Sequence, residues 1–368
     1  MKEIVFYFTR LGLTGFGGPL ALIAQMQKEL VEERKWMAAD DFRQALGLIK
    51  SMPGPAASQV AVFLGRQRYG FCGGFAAGVC LILPAFFLII LLAEFYDRLI
   101  QILWIQSALL GMQIAACALI LLAMRTLSLS YLKLKIFWVM GAFAFILLHW
   151  FRISEPLVII GLGAIYALSI HLKSKTAKMG FFLFSLPLVT AVSNLESRSV
   201  LQELFWVCLK AGALVFGTGL AIIPFLEGDF VDRLNWLTHS QFLDAVALGQ
   251  LTPGPVIITV TFIGYKLAGW SGAIVATVAV FGPAFFHMLT WFPKLVSWMK
   301  RQTWISNFTL AVTAAVVASI LHAEISIVRD YNWVKLAAVL IGAWVSLRFK
   351  MPSWATILGG AVLGSLFL

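Results

Sequence analysis

Apolar residues run through this chain in long blocks, separated by short charged stretches rather than alternating with them. The blocks fall near 4–26, 42–65, 70–94, 99–124, 136–151, 156–171, 180–193, 203–226, 242–264, 268–292, 304–323, 334–347 and 353–368. Most are too long for barrel strands, and none shows the strict period-2 alternation of a barrel. A backbone in hydrocarbon satisfies its polar groups only as a helix or a closed barrel, so the pattern predicts helices. Several blocks fall short of the ~20 residues that cross ~30 Å of hydrocarbon. Block 180–193, with Pro187 inside it, is one of these. Block 42–65 is long enough but is cut by Pro53-Gly54-Pro55. Proline removes a backbone donor and clashes with the preceding turn, which leaves two pieces of about ten residues, each rising ~15 Å. The pair is either one kinked span or a re-entrant hairpin with its tip near the midplane. Depending on that choice, the chain makes roughly 10 to 13 full spans.

Composition removes the alternative of a soluble protein. Hydrophobic residues make up 61 % and Asp, Glu, Lys and Arg only 12 % of the 368 residues, against roughly 45–50 % and about 25 % in soluble domains. So much apolar side chain must face something as apolar as the interior, which is a lipid bilayer. Lys and Arg number 28 against 17 acidic residues, a net +11. No nucleic acid is needed to explain that excess, because polytopic proteins collect Lys and Arg in their cytoplasmic loops. Cys72, Cys80, Cys117 and Cys208 lie in apolar stretches without a CxxC pair, which argues against a disulfide framework or a zinc site. The start, Met1-Lys2-Glu3-Ile4, carries no short apolar region with a cleavage site, so no removable signal peptide is expected.

The chain also resembles itself. At an offset of 200, residues 12–24 (GLTGFGGPLALIA) fall on 212–224 (GALVFGTGLAIIP), and Trp36, Phe42, Ala45 and Leu48 on Trp236, Phe242, Ala245 and Leu248. Pro53-Gly54-Pro55 then meets Pro253-Gly254-Pro255. At offset 199, Pro84-Ala85-Phe86-Phe87 meets Pro283-Ala284-Phe285-Phe286. The expected organisation is a tandem duplication, 1–175 and 200–368, joined by a connector at 176–199. Lys28, Arg34, Lys35, Arg43, Arg66 and Arg68 crowd the loops of the first copy. The matching loops of the second keep only Arg233 and Lys266 and add Glu227, Asp229 and Asp232. By the positive-inside rule the copies have opposite orientation: an all-α polytopic membrane protein of two inverted-topology repeats, with broken or re-entrant helices at the PGP motifs.

Two interruptions recur in both copies: Phe16-Gly17-Gly18-Pro19 with Phe216-Gly217-Thr218-Gly219, and the two PGP triplets. Breaking a helix in a membrane exposes polar backbone that protein, water or a ligand must satisfy. The half-helix after each PGP presents free N–H groups and a positive dipole end, which favour an anion. Glycine at 17, 18, 54, 217, 219 and 254 lets the backbone approach a small ligand. The plainer reading, packing and kink devices, fits any one motif alone but not four breaks in paired positions. Lys50 precedes the first PGP inside an apolar helix, where a charge costs ~2.5–3.5 kcal/mol, so it is expected to face water or a ligand. Its counterpart is Gln250, followed by Thr252. Ser51, Ser58 and Gln59, with Thr259 and Thr261 in the second copy, add neutral donors near the tips, beside Gln250 and Thr252. Arg10 and Lys210 recur two residues before Gly12 and Gly212 and could steer charge toward the breaks or anchor at an interface. The acidic residues Glu29, Glu32, Glu33, Asp40, Asp41, Glu94 and Asp97 fall in predicted loops, Asp244 reads as a helix cap, and no pair of buried carboxylates is expected. No Ser/His/Asp set, HExxH or DDxxD is present. Catalytic residues, metal ligands and cofactors are therefore not expected.

Taken together, these motifs resemble the chromate ion transporter family in its long, two-domain form. The resemblance rests on Phe16-Gly17-Gly18-Pro19, on residues 53–59 (PGPAASQ), on Phe216-Gly217, and on residues 249–256 (GQLTPGPV) with Gly264-Tyr265. It implies a multi-pass protein of the bacterial inner membrane, not an enzyme, that exports chromate by alternating access. Small inorganic oxyanions, chromate and also sulfate, would be the partners, and the oligomeric state stays open, a homodimer being one option. Two departures stand out. Leu22 occupies a position where many members carry histidine, and Lys50 one where glutamine is common. Sulfate, with the same shape and charge, stays open as the passenger, as does a passive anion channel.

Overall fold

The computed structural model describes residues 1–50, 52–173, 199–215, 219–299, 303–329 and 331–367. The predicted block 180–193 and most of the connector at 176–199 lie outside them. The first part of the chain forms α1 (Lys2–Thr14), α2 (Gly18–Met26), α3 (Ala39–Lys50), α4 (Ala56–Leu99), α5 (Leu103–Ser128), α6 (Lys135–His149) and α7 (Glu155–Lys173). The second forms α8 (Val200–Leu214), α9 (Ile223–Glu227), α10 (His239–Leu251), α11 (Thr259–Leu289), α12 (Phe292–Met299), α13 (Thr303–Ile327), α14 (Trp333–Arg348) and α15 (Ser353–Phe367). No strand occurs among the described residues. Four helical stretches, Ala56–Leu99, Leu103–Ser128, Val256–Lys294 and Trp304–Ile327, are long and apolar enough to cross a membrane, and three shorter ones are apolar. The protein is an all-α, multi-pass membrane protein.

Local chemistry explains several boundaries. Ser199 with Gln202 and Thr238 with Gln241 form capping boxes that start α8 and α10, satisfying otherwise orphaned N–H groups. Asp244 is therefore not a cap. It sits buried within α10, where its carboxylate accepts hydrogen bonds from Tyr96 Oη at 2.6 Å and Gln113 Nε2 at 2.9 Å. α4 spans 44 residues, yet Tyr69 and Gly70 leave helical geometry, with φ of +65° at Gly70. A Cβ on Gly65 would lie 2.4 Å from Gly73 O, and one on Gly74 would lie 2.8 Å from Val62 O. Residues eight or more apart in a straight helix would be ~12 Å apart, so α4 doubles back as a hairpin with arms 56–68 and 71–99. α11 repeats the device at Ala268–Gly269, with Gly264 against Gly272.

Contacts between the two parts come in exchanged pairs. Phe75 meets Phe285 at the start of one long arm and the end of the other, while Tyr265 and Lys266, at the tip where the long arm of α11 begins, bond to Glu94 and Asp97 at the end of that of α4. The long arms of α4 and α11 therefore run antiparallel. Gly111 of α5 packs on Gly360 and Gly364 of α15, and Gly163 of α7 packs on Phe308 and Val312 of α13. Each part thus lends its last helices to the other, α6 and α7 to α13, α14 and α15 to α5. Wider π-type turns follow α2 and α9, at Gln27–Glu33 and Gly228–Arg233. Two residues beyond each lies one of positive φ, Lys35 and Asn235.

Candidate functional site

The interruptions lie where these exchanged contacts meet. α1 stops at Thr14, and Gly17 and Gly18 follow with φ of +109° and +78° before Pro19 opens α2. Two successive left-handed residues are accessible to glycine alone at low cost. The matching Phe216, Gly217 and Thr218 lie outside the described residues, so nothing places the candidate Gly217. α3 stops at Lys50, and Pro55, extended at ψ 103°, precedes the first turn of α4 with no side-chain cap. Pro255, at ψ 121°, opens Val256–Ile258 in the same uncapped way. Both helix starts therefore keep unsatisfied N–H groups at the positive end of a helix dipole.

Two reciprocal hydrogen bonds tie the breaks together. Gly54 N donates to Val215 O at 2.7 Å, and Gly254 N donates to Gly15 O at 3.0 Å. A Cβ on Gly54 would lie 3.6 Å from Ala284 Cβ, and one on Gly254 would lie 3.2 Å from Ala85 Cβ. Each PGP thus rests on the PAFF segment of the other part. Gly219 approaches Pro19 and Val256, which Gly18 also faces. Leu22, buried, fills the space beside Gly15.

The polar candidates divide into two groups. Gln59 and Thr252 spend donors on the breaks themselves, Gln59 Nε2 on Pro53 O at 2.7 Å and Thr252 Oγ1 on Gly249 O at 2.9 Å. Ser58 and Gln250, 0 % and 3 % exposed, instead leave Ser58 Oγ and Gln250 Nε2 with no hydrogen-bond partner among the described residues. An unmade buried hydrogen bond costs ~1–3 kcal/mol. Ser58 stands three residues after Pro55, and Gln250 three before Pro253. Pro253, Gly254 and Pro255 are fully buried, Pro53 half-buried. Lys50 is exposed at the C-terminal end of α3, and Ser51 lies outside the described residues.

Arg10 and Lys210 are engaged in matching ion pairs, Arg10 with Glu29 and Lys210 with Asp229. A second pair of bridges joins Arg34 to Glu3 at 3.0 Å and Arg233 to Glu203 at 2.7 Å. Glu29 therefore belongs to a π-type turn rather than a loop. The expectation of no buried carboxylates fails more broadly: Glu227, Asp229, Asp244 and Glu324 are all 5 % exposed or less. Tertiary packing brings them in from separate helices, and nothing in their local sequence signals it. The recurrence of Glu29 and Asp229 at offset 200, in register with Arg10 and Lys210, was the available signal for the ion pairs.

Interrupted helices meeting in matched pairs define the class, a multi-pass membrane protein of the solute-carrying kind. The sequence model of the chromate transporter family matches residues 2–168 and again 202–365. The chain belongs to this family, which is one of transporters and not of enzymes. It is 33 % identical to a probable chromate transport protein of Synechococcus elongatus, over 100 % of this chain and 95 % of the relative. It is 34 % identical to the chromate transport protein of Cupriavidus metallidurans, over 99 % and 92 %. A Pseudomonas aeruginosa chromate transport protein is 33 % identical over 85 % and 77 %. No solved structure matches the chain.

Proposed function

We propose that this protein moves a divalent tetrahedral oxyanion, chromate first, out of the cytoplasm across the bacterial inner membrane by alternating access. The carrying observation is the pair of orphaned groups, Ser58 Oγ and Gln250 Nε2, buried beside uncapped helix starts at breaks that hydrogen-bond to each other. Two uncapped N-termini offer positive dipole ends to a dianion, and the orphaned groups supply donors. The antiparallel course of the long arms supports inverted halves, since a two-fold axis that reverses membrane-crossing helices lies in the membrane plane. Lys50, exposed beside the first break, neutralises part of the charge of the passing anion. Rocking about the breaks then exposes the anion to one side at a time. A dianion leaving a cell with a negative interior gains ~2.3 kcal/mol per charge per 100 mV, nearly 5 kcal/mol for two, so export needs no partner ion.

A sulfate or related oxyanion permease working inward is the second reading. The buried carboxyls of Glu227 and Glu324 favour it, because uptake against that field requires a coupled cation or proton. A passive channel and a homodimeric assembly complete the range of this reading. Chromate flux into proteoliposomes of purified protein decides among them. A transporter saturates and shows counterflow, Pro53→Ala abolishes flux and Lys50→Gln lowers it. Flux without saturation or counterflow refutes the carrier. Unchanged flux in Lys50→Gln removes the lysine from the anion path.

A further inference from the structure

Away from the breaks, acidic side chains from three elements converge without cations to match. Glu227 closes α9, which packs on α13, and is 1 % exposed. Glu324 lies on α13, 4 % exposed, and neither of its carboxylate oxygens has a hydrogen-bond partner among the described residues. Glu155, half-buried, begins α7, which also packs on α13 and brings the carboxyl within electrostatic reach of Glu227. The nearby cations are committed elsewhere: Lys210 to Asp229, and Arg233 to Asp229 and Glu203. The remaining titratable neighbours are Asp232, Cys117 and Tyr331, which face each other at 3.8 Å, and His149 and His322, 3.4 Å apart. None of these is a fixed positive charge.

An unpaired carboxylate is not sustained in such surroundings; the group takes up a proton instead. Burial first, then Asp232, Glu155 and Glu324, raises the Glu227 carboxyl to about 9. A route to water is present. His239, half-exposed, brings Nδ1 to 3.2 Å from Glu227 Oε1, and it lines a surface groove with Asp232, Asn235 and Thr238. The first part of the chain has no such site, because Gln27 stands 200 residues before Glu227 and, in the register of 199 that follows the PGP triplets, Arg125 stands at the position of Glu324.

We propose that Glu227 and Glu324 form a proton-binding site that loads together with the transported anion. This inference rests on the second, inward-working reading above, in which uptake requires a coupled proton. An anion held at the breaks raises the proton affinity of these carboxyls where both bind the same conformation of the carrier. By reciprocity, a bound proton raises the affinity for the anion by the same factor. The proton enters through the His239 groove, adds to a carboxylate oxygen as an O–H, and dissociates when the anion leaves. The linkage is therefore co-transport.

Two measurements on the purified full-length protein test this. In proteoliposomes, with one proton moving per anion, a pH gradient of about one unit shifts the final chromate ratio about tenfold in the wild type. Glu324→Gln and Glu227→Gln remove that response while leaving potential-driven chromate exchange in place, and Glu324→Asp retains it. In an infrared pH titration, the wild type shows a protonated-carboxyl band that Glu324→Gln loses. A wild-type ratio indifferent to the pH gradient, or following a sodium gradient instead, overturns the proposal. So does the lack of a carboxyl band sensitive to Glu324→Gln. A wild type that exchanges no chromate refutes the transport reading, and the infrared band still decides the proton site by itself.

Discussion

Ser58 and Gln250 make the sharpest test of the candidate site, because a structural and a ligand-binding role predict opposite signs for stability. Neither Ser58 Oγ nor Gln250 Nε2 has a hydrogen-bond partner among the described residues, at 0 % and 3 % exposure. Removing a buried polar group that bonds to nothing relieves a desolvation penalty of ~1–3 kcal/mol. Ser58→Ala leaves a space of one oxygen, and Gln250→Met keeps nearly the same volume, so packing losses stay below ~1 kcal/mol. Anion-free protein carrying either change should thus be as stable as the wild type or more so. In the anion-bound state each group donates to a charge, a bond worth ~1.5–3 kcal/mol. Losing one weakens binding ~10- to 150-fold at ~1.4 kcal/mol per tenfold. Thermal unfolding in detergent, with and without chromate, reads both effects, since a ligand stabilises only the folded form that binds it. The expected pattern is an unchanged or raised Tm without chromate and a smaller chromate-induced rise. A lowered Tm with an unchanged chromate-induced rise would mean that these side chains serve the fold, and the candidate site would be refuted.

Three further outcomes follow from the geometry. Lys210→Met strips one partner from Asp229, 5 % exposed, while Arg233 remains at 2.8 Å; the loss should approach the lower end of the ~3–5 kcal/mol of a broken buried pair. Arg10→Met, at a side chain 42 % exposed, should cost under ~1 kcal/mol, and denaturant unfolding compares the two. With Cys72→Ser as background, Lys35→Cys and Asn235→Cys should react with a membrane-impermeant maleimide from opposite faces, and labelling from one face would refute inversion. Finally, a Cβ on Gly342 would stand 3.5 Å from Ala118 Cβ, within disulfide range. An oxidised Ala118→Cys/Gly342→Cys pair should form and leave chromate flux intact, and a flux restored only by reductant would refute the shared movement of α5 and α14.

Much of the fold was legible because its signals are local. Block length and hydropathy predicted helices, the PGP triplets predicted the stops at Lys50 and Leu251, and glycine pairs marked the left-handed backbone at Gly17 and Gly18. Even the sharp returns at Gly70 and Gly269 fell at the starts of predicted blocks, 70–94 and 268–292. What sequence could not supply was anything fixed by contacts between distant residues. Ser58 and Gln59 look equivalent in the sequence, yet the Ser58 hydroxyl is orphaned while Gln59 commits its Nε2 to Pro53 O and leaves only Oε1 unpartnered among the described residues. Glu324 ends an apolar helix like an interfacial residue, and only the packing of α9 and α7 on α13 turns it into a buried acid. Asp244 looked like a cap because its bonds to Tyr96 and Gln113 come from helices more than a hundred residues earlier.

The exchange of terminal helices constrains how any alternating movement works. If the parts rocked as sequence halves, α7 would slide over α13 and α15 over α5. Both interfaces are close-packed through glycine: a Cβ on Gly111 would lie 2.0 Å from Gly360 O, and one on Gly163 would lie 2.6 Å from a Phe308 ring carbon. Surfaces that approach so closely lose their contacts on small displacement and gain nothing from sliding. The segments around the breaks are different. They are joined by single backbone hydrogen bonds, Gly54 to Val215 and Gly254 to Gly15, and a typical bond of that kind contributes a net ~0.5–1.5 kcal/mol. Breaking one and remaking it to an anion or to water is within thermal reach. Under the proposed alternating access, movement would therefore centre on the segments at the breaks, with α5, α14 and α15 moving as one body and α6, α7 and α13 as the other.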